Sequence, residues 1–275
     1  MTAPGATPAP GAPAPATQAP GAPAPALQTR GLRKEFRGLV AVDRVDFTLR
    51  TGARHALIGP NGAGKTTLVD LISGHLRATS GELFLGGQDI THRPEHRRTR
   101  LGLVRTFQIT QLFRKLTVLE NVLMAVSERA GASRNVWRPT GRHDALVDEA
   151  LAILSSVGLQ DDALRRVGEL PYGRQRVLEI AVALGLRPRV LLLDEPTAGV
   201  PSGESGALLE VVLSLASDMA ILIIEHDMEM VFRFAERITV MMNGRILREG
   251  TPPEIAADET VRSVYLGEEA HDRRG

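Results

Sequence analysis

The stretch Gly59-Pro60-Asn61-Gly62-Ala63-Gly64-Lys65-Thr66-Thr67 decides how this chain is read. It has the spacing Gly-x-x-x-x-Gly-Lys-Thr of a phosphate-binding loop. Gly59, Gly62 and Gly64 allow backbone conformations closed to residues with a Cβ, so successive N–H groups can turn inward. Those donors, with the positive end of a helix starting near Lys65, make a cradle for phosphate oxygens. Lys65 adds a full charge for the β- and γ-phosphates, and the Thr66 hydroxyl is placed to ligand Mg²⁺. The flanks agree: His55-Ala56-Leu57-Ile58 reads as a buried strand, and residues 67–72 as a helix with apolar positions at helical spacing. The expected ligand is a nucleoside triphosphate. Pro60, Asn61, Ala63 and Thr67 are expected to border it with the glycines, Lys65 and Thr66.

Working outward, composition sets limits. A chain of 275 residues can bury a real core in one large or two modest domains. With 33 Lys and Arg against 32 Asp and Glu, the net charge of +1 gives no overall field to draw nucleic acid. The absence of cysteine excludes disulfides, zinc–thiolate sites and thiol catalysis. No apolar run approaches the ~20 residues needed to span a bilayer, so work at a membrane is expected to run from its surface, through a partner. Residues 1–26 are almost all Ala, Pro, Gly and Thr and are expected to form a disordered tail. They lack the basic start and continuous apolar core of a signal peptide.

Residues 32–36 and 40–49 read as strands, the second with half-buried alternation. Phe36 stands at the first antiparallel strands, where an aromatic ring can stack on adenine or fill the core. Residues 80–87 read as a strand with a turn. The basic run His92-Arg93-Pro94-Glu95-His96-Arg97-Arg98-Thr99-Arg100 is expected to be a helix with a solvated face, with lipid head-group contact as the alternative. A short strand, 101–108, ends in Gln108. Residues 109 to about 185 then read as a helical insertion, with helices at 116–124, 144–157 and 177–186. Thr117 and Glu120 have the spacing of a capping box, and residues 131–141 form a polar loop with the single Trp137.

Val190-Leu191-Leu192-Leu193-Asp194-Glu195-Pro196 reads as a strand buried on both faces, ending in two acids at the carboxyl edge where ligands of such sheets sit. Residues 219–224 read as a second buried strand, ending in Glu225-His226-Asp227. Strands alternate with helices, so the fold is α/β with a mainly parallel sheet. Adjacent residues of a strand point to opposite faces, but at a strand end the chain can turn and bring Asp194 and Glu195 both toward the phosphate loop. Asp194 then suits a Mg²⁺ shell, and Glu195 suits a base that activates water against the γ-phosphate. His226 could hydrogen-bond the γ-phosphate and hold Glu195.

In this order the phosphate loop, Gln108, Leu170-Pro171-Tyr172-Gly173-Arg174-Gln175-Arg176, residues 191–196 and Glu225-His226-Asp227 resemble an ABC transporter ATP-binding subunit. The resemblance covers residues 27–267 and leaves 268–275 as a tail. It implies a P-loop NTPase with a mainly parallel core sheet, an N-terminal antiparallel β-subdomain and an inserted α-helical subdomain. It also implies ATP and Mg²⁺ as cofactors, and ATP hydrolysis coupled to transport. Phe36 takes the adenine-stacking position. Thr66, Gln108 and Asp194 take the metal positions, and Lys65, Glu195 and His226 the catalytic ones. Leu170, Pro171, Tyr172, Gly173 and Arg174 look like the signature segment, presented to the nucleotide of a second ATPase subunit arranged head to tail. The implied partners are that subunit, transmembrane permease subunits and, indirectly, a solute-binding protein, at the cytoplasmic face of the membrane. Nucleic acid is not among them.

Finer features resemble the ATPase of branched-chain amino-acid importers, with urea and amide importers as close relatives. These are Arg105-Thr106-Phe107-Gln108, Tyr172-Gly173, Ala198-Gly199-Val200-Pro201, and the end running from Gly250-Thr251-Pro252 to Tyr265-Leu266-Gly267. Two departures stand out. Pro171 has neither the hydroxyl nor the N–H of the usual signature serine, and Arg174 is expected to supply a charge-assisted contact near the partner's nucleotide instead. Pro201 stands where an Asp is usual. The rival readings are a translation or repair ATPase, a small-molecule P-loop kinase, and a module that holds ATP without hydrolysing it.

Overall fold

The computed structural model describes residues 25–106, 112–131 and 141–263. Gln108, Trp137, most of the N-terminal tail, residues 265–267 and the tail at 268–275 lie outside the described residues.

Two sheets carry the fold. The first is antiparallel: β1 (Leu27–Phe36), β2 (Leu39–Leu49), β4 (Ser80–Leu85) and β5 (Gln88–Asp89), in the order β2-β1-β4-β5. The alternation of β2 puts Val42, Val45, Phe47 and Leu49 inside and leaves Arg44, Asp46 and Thr48 exposed. The second is built on β3 (Arg54–Ile58), β6 (Leu103–Thr106), β7 (Val190–Asp194), β8 (Ala220–Ile224), β9 (Arg237–Met242) and β10 (Arg245–Gly250), in the order β10-β9-β3-β8-β7-β6. All its pairings are parallel except that of β9 with β10, whose turn through Asn243 and Gly244 uses φ of 49° and 75°. β7 and β8 are buried at every residue, as their unbroken apolar runs require of central parallel strands.

Helix α1 (Lys65–Ser73) follows β3, and α2 (Glu95–Arg100) precedes β6. The basic run is not wholly solvated. Arg98 is 3% exposed, and its guanidinium donates to the carbonyls of Leu71 and Ile72 at 2.6 and 2.7 Å. It therefore satisfies carbonyls that the last turn of α1 leaves without helical partners, at the end where a cation is favoured. Helices α3 (Val118–Arg129), α4 (Gly141–Ser156) and α5 (Tyr172–Gly185) form the helical layer between β6 and β7. Thr117 and Glu120 make the reciprocal capping box at the start of α3. Helix α5 begins five residues earlier than expected, with Pro171 at its N-cap. α6 (Ser202–Ser214), α7 (Met228–Phe234) and α8 (Pro252–Ala257) complete the chain. No helix among the described residues is long and apolar enough to cross a membrane.

Candidate nucleotide site

The register of the central strands assembles the site. Leu57 of β3 and Asp194 of β7 both pair with Ile224 of β8, so three strands end level and side by side. Their continuations are the phosphate loop, Glu195 and the segment Glu225-His226. This is the carboxyl edge of a parallel sheet, where backbone donors and loop side chains converge on a ligand.

The loop needs its glycines for space as well as conformation. Gly59 has φ 151° and a Cβ there would meet the carbonyl of Met241; Gly64 has φ 97° and a Cβ would meet that of Ala41. Neighbouring backbone thus packs directly on the loop, and Gly244 N–H donates to Ala63 at 2.9 Å. Gly64 caps α1 without a side-chain cap bond, and the first turn holds no acidic residue, so the helix start keeps its positive potential. Lys65 Nζ donates to the carbonyls of Gly59 and Pro60 at 2.5 and 3.0 Å, holding the ammonium across the loop. Asn61, Gly62 and Thr66 are exposed, Pro60 and Thr67 half-buried and Ala63 buried.

Phe36 is 41% exposed, with Lys34 Nζ 4.8 Å from its ring centroid, so the core-filling reading is overturned. It pairs with Leu39, two residues before the Ala41 that packs on Gly64.

Asp194 is 3% exposed and closes β7; Glu195 turns the chain with φ 46° and is half-buried. A positive φ in a non-glycine residue is strained and persists where its surroundings over-determine it. Glu195 N–H donates to Ile224 at 2.9 Å, which fixes the turn on β8. The His226 side chain is 69% exposed, facing out from the end of β8.

Arg105 is the residue whose role the sequence did not reveal. From β6 it donates to Asp70 of α1 and to Asp194, each at 2.5 Å. Burial alone would lower its pKa; the hydrogen bonds of the two carboxylates carry it above the ordinary value. An arginine between the apolar residues of a buried strand must find anions, and that was the available signal. The Arg105 bridge leaves Asp194 Oδ1 as the carboxylate oxygen not used by that contact. The donors fit a small hard cation shared with phosphate, namely a buried carboxylate and the Thr66 hydroxyl. No group of three or more His, Asp or Glu among the described residues could cage a metal alone.

The expected signature residues divide. Leu170 and Gly173 are buried, Pro171 and Tyr172 exposed, Arg174 half-buried. Gly173 N–H donates to Glu204 Oε2 at 3.0 Å. Arg174 Nε donates to Asp162 at 2.6 Å, and its Nη2 to Gly158 at 2.9 Å, so the expected contact with a partner's nucleotide requires that grip to open.

Comparison with known proteins agrees with this geometry. Residues 42–198, more than half of the chain, match the ABC transporter family, and 245–271 match the branched-chain amino acid ATP-binding cassette transporter family. The branched-chain amino acid transport ATP-binding protein LivG of Escherichia coli is 39% identical over 86% of this chain and 96% of its own length. BraF of Pseudomonas aeruginosa, of the same description, is 38% identical over the same shares. The ADP conformation of MJ1267, an ATP-binding cassette of an ABC transporter, superimposes with TM-score 0.78 at 33% identity, over 88% of this chain and 99% of that one. The chain belongs to the ABC transporter family and is an ATP-binding, ATP-hydrolysing subunit of that family.

Proposed function

We propose that the chain powers an importer of branched-chain amino acids from the cytoplasmic face of the membrane. The observation that carries its chemistry is the level alignment of β3, β7 and β8, which delivers the phosphate loop, Glu195 and His226 to one edge. The substrate class rests on the named relatives and on the match of residues 245–271. In this reading the loop N–H groups and Lys65 hold the β- and γ-phosphates while Phe36 stacks on adenine. Thr66, Gln108 and Asp194 would hold Mg²⁺, which when bound neutralises charge between those phosphates. Glu195 takes the proton of the attacking water, and His226 donates a hydrogen bond to the γ-phosphate. Residues 170–174 face the nucleotide of a second ATPase subunit. Closure of the pair is passed near Gln108 to transmembrane permease subunits that receive solute from a binding protein.

Glu195→Gln tests the chemistry: ATP binding is retained while turnover falls about 10²–10³-fold, as expected for loss of a general base. Normal turnover in that variant removes Glu195 from the role. Uptake of labelled leucine and of urea by the co-purified transporter tests the substrate class.

A further inference from the structure

Glu225 is one residue from His226, yet it faces the opposite way. Its side chain is 0% exposed against 69% for His226, as alternation at a strand end requires. A carboxylate so placed is costly unless donors satisfy it, and three do. Thr197 gives its backbone N–H at 3.0 Å and its hydroxyl at 2.6 Å, both to Oε1. His226 gives its backbone N–H to Oε2 at 3.2 Å. Thr197 lies two residues after Glu195, across the buried Pro196.

We propose that Glu225 is a positioning residue for ATP hydrolysis. Its carboxylate clamps the turn after β7 to the start of the His226 segment and so fixes Glu195 relative to His226. This inference rests on the roles given above to those two residues. Glu195 holds a strained φ of 46°. Its own N–H is fixed to β8, and its carbonyl accepts from Ala198 N–H at 3.0 Å. Those bonds orient the peptide of Glu195, but they leave the downstream turn to be held by Thr197. On the far side the Ala198 carbonyl accepts from Arg176 at 3.3 Å and from the Tyr172 hydroxyl at 3.4 Å. The turn is therefore gripped between the end of β8 and the start of α5, and Glu225 supplies the grip on Thr197. It touches neither nucleotide nor water in this role; it acts through Thr197 and through the peptide of His226.

The test compares Glu225→Ala, Glu225→Gln and Thr197→Val in the full-length chain, co-purified with its membrane subunits. The readouts are ATPase kcat and KM, equilibrium ATP affinity and melting temperature. A displaced catalytic turn costs turnover rather than binding, because small misplacements lower the rate by up to about 100-fold. The expected result for Glu225→Ala is a kcat reduced about 10- to 100-fold, with KM and ATP affinity within about twofold. Glu225→Gln keeps an oxygen for Thr197 and is expected to recover most of that loss. Thr197→Val keeps the N–H but not the hydroxyl and should fall in between. A kcat within about twofold of wild type in Glu225→Ala, or an equal loss in the Gln and Ala variants, overturns the proposal. If Glu225→Ala does not fold, an unchanged kcat in Thr197→Val overturns it alone. Glu195→Gln, run beside them, separates the two failures. Normal turnover there sinks the assignment of the base, whereas stalled turnover with intact Glu225 and Thr197 variants sinks only the clamp.

Discussion

The starts of α1 and α5 look alike in sequence logic and differ in structure. Each is a helix N-terminus that the family resemblance directs at phosphate, one in its own chain and one in a partner. At α1 the cap is a left-handed glycine, the first turn holds no acid, and Lys65 lies across the loop. At α5 the cap is Pro171, Gly173 N–H already has the carboxylate of Glu204, and Arg174 is held by Asp162 and Gly158. The first end is built to be completed by an anion from outside. The second is satisfied by an anion of its own chain, which an incoming phosphate would have to displace or pass. At α1 no side chain caps the helix start and the first turn holds no acid, so its positive end is the stronger mark of an anion site.

Three substitutions break or sharpen this contrast. Arg105→Ala removes the cation that ties α1 to β7 and leaves Asp194 buried without that partner. Unfolding stability in urea should fall by about 3–5 kcal/mol. A loss below about 1 kcal/mol would show that α1 is set by packing alone. Lys65→Ala leaves the loop backbone but removes its charge. ATPase kcat/KM should drop about 10²–10³-fold, or about 3–4 kcal/mol, in a chain that melts normally. Retained activity would mean that backbone donors suffice at α1 and that the two helix starts differ less than their partners suggest. Glu204→Ala strips the internal anion from α5 and should lower stability by only about 1 kcal/mol, one hydrogen bond to a charged group at a partly exposed helix start. No measurable change there would mean that water serves Gly173 as well as Glu204 does.

Residues read correctly from sequence share one property: their chemistry is local. The glycine spacing, the Thr117–Glu120 box and the unbroken apolar runs of β7 and β8 each specify structure within a few positions. The charge of the run at 92–100 predicts a solvated face, but Arg98 meets carbonyls at the end of α1, 26 and 27 residues away. Arg174, expected to make a charge-assisted contact near a partner's nucleotide, is held within its own chain from 12 and 16 residues upstream.

By itself the sequence determined the phosphate loop, the alternation of strands and helices, and the acids and histidine at strand ends, because dihedral preference and hydrophobic period are written in neighbouring residues. Only the tertiary structure decided which side chains meet. The level ends of β3, β7 and β8, the bridge of Arg105 to Asp70 and Asp194, and the clamp of Glu225 on Thr197 join residues 28 to 167 positions apart. Such partners are selected by the register of the sheet and by the demand of buried charge for a counter-group, and neither can be read from one strand at a time.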